Sequence, residues 1–387
     1  MKRNRLIFLI LWLISLAGIS FRGGVVSYGF FLFMTLIPLV SLIYLIAVFF
    51  AFKVYQQVEG RDLVVNHSHP FLFILQNEYF FTYSSVKVNL FSDFSRISGQ
   101  DDGAEYELLP KTGIRNEATI ICRYRGEYDV GVRNIEIMDY LRLFRFRYRN
   151  KETVRVTVKP DLIRLDELRS IDIQLLNSIH VPANPEEPDV FVRKYEPGDD
   201  IRFVEWKASA RANELLVRKR TGEEQQGVGI LVGTERRSRE PEKYLPPENK
   251  ILETALALAW YFTAKNTPVS VNYLGTQLRT CVVDRPENFN EFYEEMSSVT
   301  FSDMYTERRL LELSGASGVL YSMKAVFMVL SSLTEEALKM ASMLYRHHIS
   351  VIIYLISDHE EDIAPGMDLP GTSIVRIPSE AVLREVL

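Results

Sequence analysis

The stretch RKYEPGDDIRFVEWKASAR, residues 193–211, gathers the side chains best able to do chemistry in this chain. Asp199 or Asp200 could act as a general base, and Arg202 or Arg211 could hold an anionic group. Such a site also needs a nucleophile, a metal set or a cofactor loop. None is legible: the sequence holds no G-x-S-x-G elbow, no Walker pattern and no G-x-G-x-x-G, and GASG (Gly315–Gly318) is too short to cradle a phosphate. His67 and His69 form an H-x-H pair without further ligands at zinc-like spacing, and His347-His348 closes a helical stretch, where the helix dipole favours histidine. No cofactor, metal or enzymatic activity is expected.

The same stretch has a structural reading. Pro197-Gly198 is a turn dipeptide, and Asp199 or Asp200 can cap a helix over residues 200–211. That helix would put Ile201, Val204 and Ala208 on one stripe and rest the Arg202 guanidinium on the Trp206 ring four residues on. Glu205, Lys207 and Arg211 would pair with one another or with Arg193, Lys194 and Glu196. The expectation is therefore a brace between two folded units, because ion-pair networks concentrate charge without doing chemistry.

The elements around this stretch fall into three textures. Leu6–Phe21 and Gly29–Phe52 are uncharged apolar runs. At ~1.5 Å per residue the second reaches about 36 Å and the first about 24 Å, against a hydrocarbon core of ~30 Å. Arg5 and Arg22 would snorkel to the interfaces, and Pro38 predicts a kink. A cleaved signal peptide is the competing reading of the first run. Lys2, Arg3 and Arg5 before it, and Lys53 and Arg61 after the second run, outnumber the lone Arg22 between them, which places both ends in the cytoplasm. From about residue 54 to 160 short alternating segments predict a β-sandwich; in FRFRYR, Phe144, Phe146 and Tyr148 share one face and Arg145, Arg147 and Arg149 the other. After residue 225, strands such as GVGILVG, PVSVNYL, AVFMVLSS and ISVIIYLIS alternate with helical segments, one of them opened by Thr334. That alternation predicts a Rossmann-like parallel sheet covered on both faces. The expected domains are a hairpin over 1–55, a sandwich over 56–160, a connector over 161–225 and an α/β domain over 226–387.

Beyond residue 52 the chain holds 41 basic and 50 acidic residues, a net charge of −9, which argues against nucleic acid as a partner. Cys122 and Cys281 lie far apart and predict no disulfide framework.

Arg193, Tyr195, Pro197, Gly198, Asp199, Asp200, Arg202, Trp206, Lys207, Ala210 and Arg211 together resemble the signature of the bacterial domain of unknown function 58 family. RGEYDVGVRNIEIMDYLRLFRF resembles a second stretch of that family, with Tyr140 standing for its proline and Arg142 for its glycine. The resemblance implies two N-terminal membrane helices, a β-rich region and a C-terminal domain like von Willebrand factor A. It also implies a partner among MoxR-type AAA+ ATPases. Domains of that kind often bind Mg²⁺ through Asp-x-Ser-x-Ser at the tip of their first strand. The corresponding positions here are Gly233, Glu235 and Arg237, or in the shifted register Thr234, Arg236 and Ser238, so a degenerate, metal-free tip is expected. The expected function is that of a membrane-anchored, non-enzymatic scaffold. Its protein-binding surface would comprise Thr234, Glu235, Arg236, Arg237, Ser331 and Ser332, at the carboxyl ends of the strands. Two alternatives stand beside it: a cell-envelope hydrolase using the Asp199/Asp200 region, and a sensor of anionic lipid using Arg145, Arg147 and Arg149.

Overall fold

The computed structural model describes residues 2–60, 62–99, 103–150, 153–168, 192–195, 204, 206–212, 214–218, 227–358 and 372–387. They form two units, Met1–Lys159 and Pro160–Leu387.

The first unit opens with two helices, α1 (Lys2–Arg22) and α2 (Val25–Ala51), joined at Gly23, whose φ of 40° reverses the chain. Both are long and apolar enough to cross a membrane, with mean hydropathies of 1.9 and 2.5. They lie side by side: Trp12 Nε1 donates to Thr35 Oγ1 at 3.2 Å, and the Trp12 and Phe31 rings are 5.8 Å apart. Helix α2 runs through Pro38 without a break.

Among the described residues ten strands follow: β1 (Lys53–Val58), β2 (Asp62–Val64), β3 (Ser68–Gln76), β4 (Tyr83–Ser92), β5 (Ser95–Ser98), β6 (Glu105–Leu108), β7 (Gly113–Cys122), β8 (Gly126–Met138), β9 (Arg145–Arg149) and β10 (Val154–Lys159). They make a four-stranded sheet in the order β1-β3-β7-β5 and a six-stranded one in the order β2-β10-β8-β4-β6, with β9 paired to β8. Period-two alternation sends Phe71, Phe73 and Leu75 of β3 inward. On β9 the arginines are exposed, whereas Phe146 and Tyr148 meet the Phe49 ring of α2 at 5.7 and 5.9 Å. Leu45, Val48, Ala51 and Phe52 are buried in the same cluster as Phe71, Tyr83, Ile120 and Val130. The last turns of α2 thus belong to the sandwich core, and the boundary expected at residue 55 does not separate two bodies.

The second unit begins with Leu165 and Leu168, buried in the α/β core, so the connector expected from residue 161 starts inside that core. A two-stranded ribbon pairs β11 (Val192–Lys194) with β12 (Leu216–Arg218) around α3 (Trp206–Ala212). Among the described residues the strands and α-helices that follow are β13 (Val228–Val232), α4 (Pro241–Ala264), β14 (Val269–Leu274), β15 (Leu278–Val283), α5 (Phe289–Ser297), α6 (Glu307–Ser317), β16 (Ala325–Leu330), α7 (Glu335–Arg346), β17 (Ser350–Ile356), β18 (Thr372–Ile377) and α8 (Leu383–Val386). The sheet order is β15-β14-β13-β16-β17-β18. Val228, Ile230 and Val232 pack on the α4 side with Leu252 and Phe262, while Leu231 and Met328 pack on the other side with Leu311 and Leu344. Both faces are therefore covered, as continuous apolar strands require.

Two expectations are corrected. The sheet is mixed, because β15 returns antiparallel beside β14 through a tight turn at Gly275. Of the helix expected over 200–211, Trp206–Ala212 is helical, Val204 instead forms an antiparallel bridge with Val217, and residues 200–203 and 205 lie outside the described residues. By contrast, Thr334 caps α7 as read from sequence, its hydroxyl accepting from Ala337 N at 3.3 Å.

Candidate functional site

Strand β13 has β14 on one side and β16, reached by the later crossover, on the other. The carboxyl ends of β13 and β16 therefore flank the point where strand order reverses, the place where open α/β sheets hold ligands. Glu307, the first residue of α6, fills that crevice and is 1% exposed. Its Oε1 accepts from Ser331 N at 2.6 Å and from Ser331 Oγ at 2.8 Å, and its Oε2 accepts from Ser332 Oγ at 2.8 Å. Burial pushes the Glu307 carboxyl above the usual carboxylate range, against the opposing pull of the Ser331 and Ser332 bonds and of the Arg237 charge.

The tip of β13 is shaped around this group. A Cβ on Gly233 would stand 2.8 Å from Glu307 Oε1 and 3.2 Å from Val329 O, so only glycine leaves the carboxylate room. Glu235 accepts from the backbone N–H of Glu307 at 2.8 Å, which satisfies a helix-end donor and sets a carboxylate at the positive end of the dipole. Its backbone forms a parallel bridge with Ser302. Arg237 is exposed and donates from Nη2 to Ser332 Oγ.

Of the six residues expected to form a binding surface, the structure brings Glu235, Arg237, Ser331 and Ser332 together around Glu307. Thr234 and Arg236 are corrected. Thr234 is fully buried and donates from Oγ1 to Leu274 O at 2.6 Å. Arg236 bonds Glu248 in α4 through two nitrogens, at 2.6 and 3.0 Å, and lies 4.0 Å from the Tyr244 ring centroid. Since Glu248 is 4% exposed, that pair belongs to the fold rather than to a free surface. Sequence reading missed Glu307. The available signal was a Thr306-Glu307 helix start between two strands, but nothing in it says which way the carboxylate turns. Beside the tip, Met304 is 72% exposed.

Among the described residues no group of three or more His, Cys, Asp or Glu is close enough to hold a metal ion. His69 accepts at Nε2 from Val64 N at 3.0 Å, and the His347 ring lies 4.8 Å from Tyr321.

Of the signature residues, Pro197, Gly198, Asp199, Asp200 and Arg202 lie outside the described residues. Arg193 pairs with Val217 across the ribbon, and Tyr195 N donates to Leu215 O at 2.9 Å. Helix α3 is tied to the ribbon by Ser209, whose Oγ accepts from Leu216 N at 2.8 Å. Trp206 is 63% exposed, and Lys207, Ala210 and Arg211 are exposed with it.

In the second stretch, Asp139 is buried and accepts from Ser41 Oγ (2.5 Å), Leu141 N (3.2 Å) and Phe144 N (2.6 Å). Arg142 has φ 55°, the left-handed conformation that glycine adopts without strain. Arg145 and Arg147 both bond Glu136, at 3.0 and 2.8 Å, so the charge of two of the three arginines on that face is already partnered.

These features define a mixed α/β protein: a sandwich carried on an apolar helical pair, and a mixed sheet. Residues 191–366 match the family described as protein of unknown function DUF58, which supports that family for this chain. No curated protein matches the sequence. Several solved structures are similar over part of it. A CARDB domain from Pyrococcus furiosus in complex with di-metal ions is 18% identical, with 28% of this chain and 91% of that one covered and a TM-score of 0.20. The native alpha-2-macroglobulin of Escherichia coli is 12% identical over 29% of this chain and 7% of that one, with a TM-score of 0.23. The cupredoxin domain of amoB from Nitrosocaldus yellowstonii is 8% identical over 30% and 96%, with a TM-score of 0.21. At these scores the likenesses carry no argument about function.

Proposed function

We propose that this chain is a membrane-anchored, non-enzymatic protein of the DUF58 family that binds another protein through the carboxyl end of its mixed sheet. Length and hydropathy of α1 and α2 support the anchor, and the bonds from Asn4 and Arg5 to the loop after β8 give α1 a place in the folded protein that a cleaved leader would not keep. The balance of Lys2, Arg3, Arg5 and Lys53 against Arg22 supports a cytoplasmic body. The α/β unit is read as a von Willebrand factor A-like domain whose metal position has lost its ligand set.

One observation carries the binding assignment. The buried carboxylate at the switch point is spent on Ser331 and Ser332, while the exposed Arg237 donates to Ser332 at the strand tip. A fixed guanidinium suits a carboxylate on a partner, and exposed Met304 beside it supplies adaptable apolar area. The family resemblance directs the first partner to test, a MoxR-type AAA+ ATPase. The full chain in detergent, immobilised, is expected to retain the purified ATPase. Arg237→Glu/Met304→Glu, with an unchanged melting temperature, is expected to lose it. Equal retention by both would sink the assignment to this tip, and no retention by either would sink the choice of partner.

A further inference from the structure

We propose that one end of the sandwich, where it meets the helical pair, is a seat for anionic phospholipid at the bilayer surface. This rests on the membrane-anchored reading above. Three connections meet at that end, because β3, β6 and β8 finish there and β4, β7 and β9 begin there. Gln76 pairs with Gly113, Tyr83 with Leu108, and Met138 with both Ser85 and Arg145.

The connections are fastened to one another and to the helices. Asn77, 1% exposed, donates to Phe81 O at 2.8 Å and to Leu109 O at 2.9 Å, and its Oδ1 accepts from Tyr79 N at 3.0 Å. Tyr44 of α2 donates to Thr82 O at 2.6 Å, and its ring is 5.2 Å from that of Tyr140. Asn4 Nδ2 donates to Leu141 O at 3.0 Å, and Arg5 Nε donates to Leu143 O at 2.6 Å. The turns are therefore held in place by polar bonds, most of them partly buried.

What they present outward is apolar and aromatic. Phe80 is 81% exposed, Tyr140 60%, Leu109 58% and Leu141 44%. In water such a cluster is an association hazard; around helices that enter a membrane it has the composition of an interfacial belt. An apolar trough of about 520 Å³ continues the same surface from Phe33, Leu36 and Val40 of α2 onto Tyr140 and Leu141. The charges select the lipid. Lys2, Arg3, Arg5, Lys53, Lys111 and Arg142 stand against Glu78, Glu105, Glu107 and the buried Asp139. Of these acids, Glu78 is bonded to Lys53 and Glu105 to Arg142. Lys111 lies over the Phe80 ring, 4.4 Å from its centroid, so an aromatic anchor and a headgroup-binding cation occupy one spot.

The test uses the full chain with Phe80→Trp, reconstituted into vesicles of equimolar phosphatidylcholine and phosphatidylglycerol carrying bromines at defined depths. Emission added over the parent chain is expected to shift blue and to be quenched most by bromines near the headgroup. That quenching should fall in pure phosphatidylcholine and in Phe80→Trp/Lys111→Glu. The parent chain emits from Trp12 between the helices and from Trp206 and Trp260 in the other unit, so the part of its emission that deep bromines quench is assigned to Trp12 and is the internal reference. Trp12 quenched with position 80 still in water would overturn the seat and leave the anchor standing. Trp12 unquenched would overturn the anchor and the seat together, and quenching at position 80 that ignores both lipid charge and Lys111→Glu would overturn the anionic preference.

Discussion

Removing the carboxylate of Glu307 should destabilise the α/β unit, and a second substitution can show that the carboxylate is the cause. Glu307→Ala leaves the N–H of Ser331 without its 2.6 Å acceptor, while the Ser331 and Ser332 hydroxyls, only half-buried, can turn elsewhere. An orphaned buried donor costs about 1–3 kcal/mol, and loss of two charge-assisted bonds raises the expected total to about 2–4 kcal/mol. Gly233→Ala attacks the same contact from the other side. Its new methyl group would stand 2.8 Å from Oε1, and the forced displacement should cost about 1–3 kcal/mol. Once the carboxylate is gone only the 3.2 Å approach to Val329 O remains, so in the Glu307→Ala background Gly233→Ala should cost under about 1 kcal/mol. The measurement is urea unfolding of the four proteins, followed by emission from Trp260, which packs 4.9 Å from Phe289 in this unit's core. A coupling of about 1–2 kcal/mol is expected. Additivity within about 0.5 kcal/mol would refute the contact, since substitutions that share no partner simply sum.

Four further outcomes can be checked. The Glu307 carboxyl binds its proton more tightly in the fold than in the unfolded chain, so stability should fall as pH rises from the ordinary carboxylate range through its raised value; Glu307→Gln should flatten that slope in urea titrations at successive pH values. Arg236→Glu should destabilise by about 3–5 kcal/mol, because it sets a second acid against buried Glu248, whereas Arg237→Glu should stay within about 1 kcal/mol by thermal melting. Cys281, its thiol pushed up to about 12 by burial and by the nearby Glu295 carboxylate, should alkylate at pH 8 about a thousand-fold more slowly folded than unfolded, as followed by mass spectrometry. Arg142→Gly should stabilise by about 1 kcal/mol, because glycine relieves the left-handed backbone at φ 55°; a lower urea midpoint would show that the Arg142–Glu105 pair outweighs the strain.

Much of the architecture was legible because it follows from periodicity. Apolar runs announce α1 and α2, strict alternation announces β9 with its inward Phe146 and Tyr148, and Thr334 with the two acids after it announces α7. Misreadings arose where a short segment obeys a distant partner. Leu278–Val283 has weak alternation and forms a strand only because β14 offers it an edge, and Val204 leaves the helical pattern because Val217 offers it a bridge. The charged tip showed the same limit. Arg236 and Arg237 are adjacent and alike in sequence, yet one is locked to Glu248 inside the fold and the other faces solvent. Glu307 was beyond reach because its partners lie 24 and 25 positions further along the chain.

The burial of Leu45, Val48, Ala51 and Phe52 beneath the sandwich has a practical side. One helix faces two solvents in succession, so deleting the anchor at the point suggested by hydropathy would also bare the part of the sandwich core that these residues cover. A soluble fragment beginning at Lys53 should clump through the bared footprint. One that keeps residues 42–52 and replaces the exposed apolar positions of that segment with polar ones should remain monomeric.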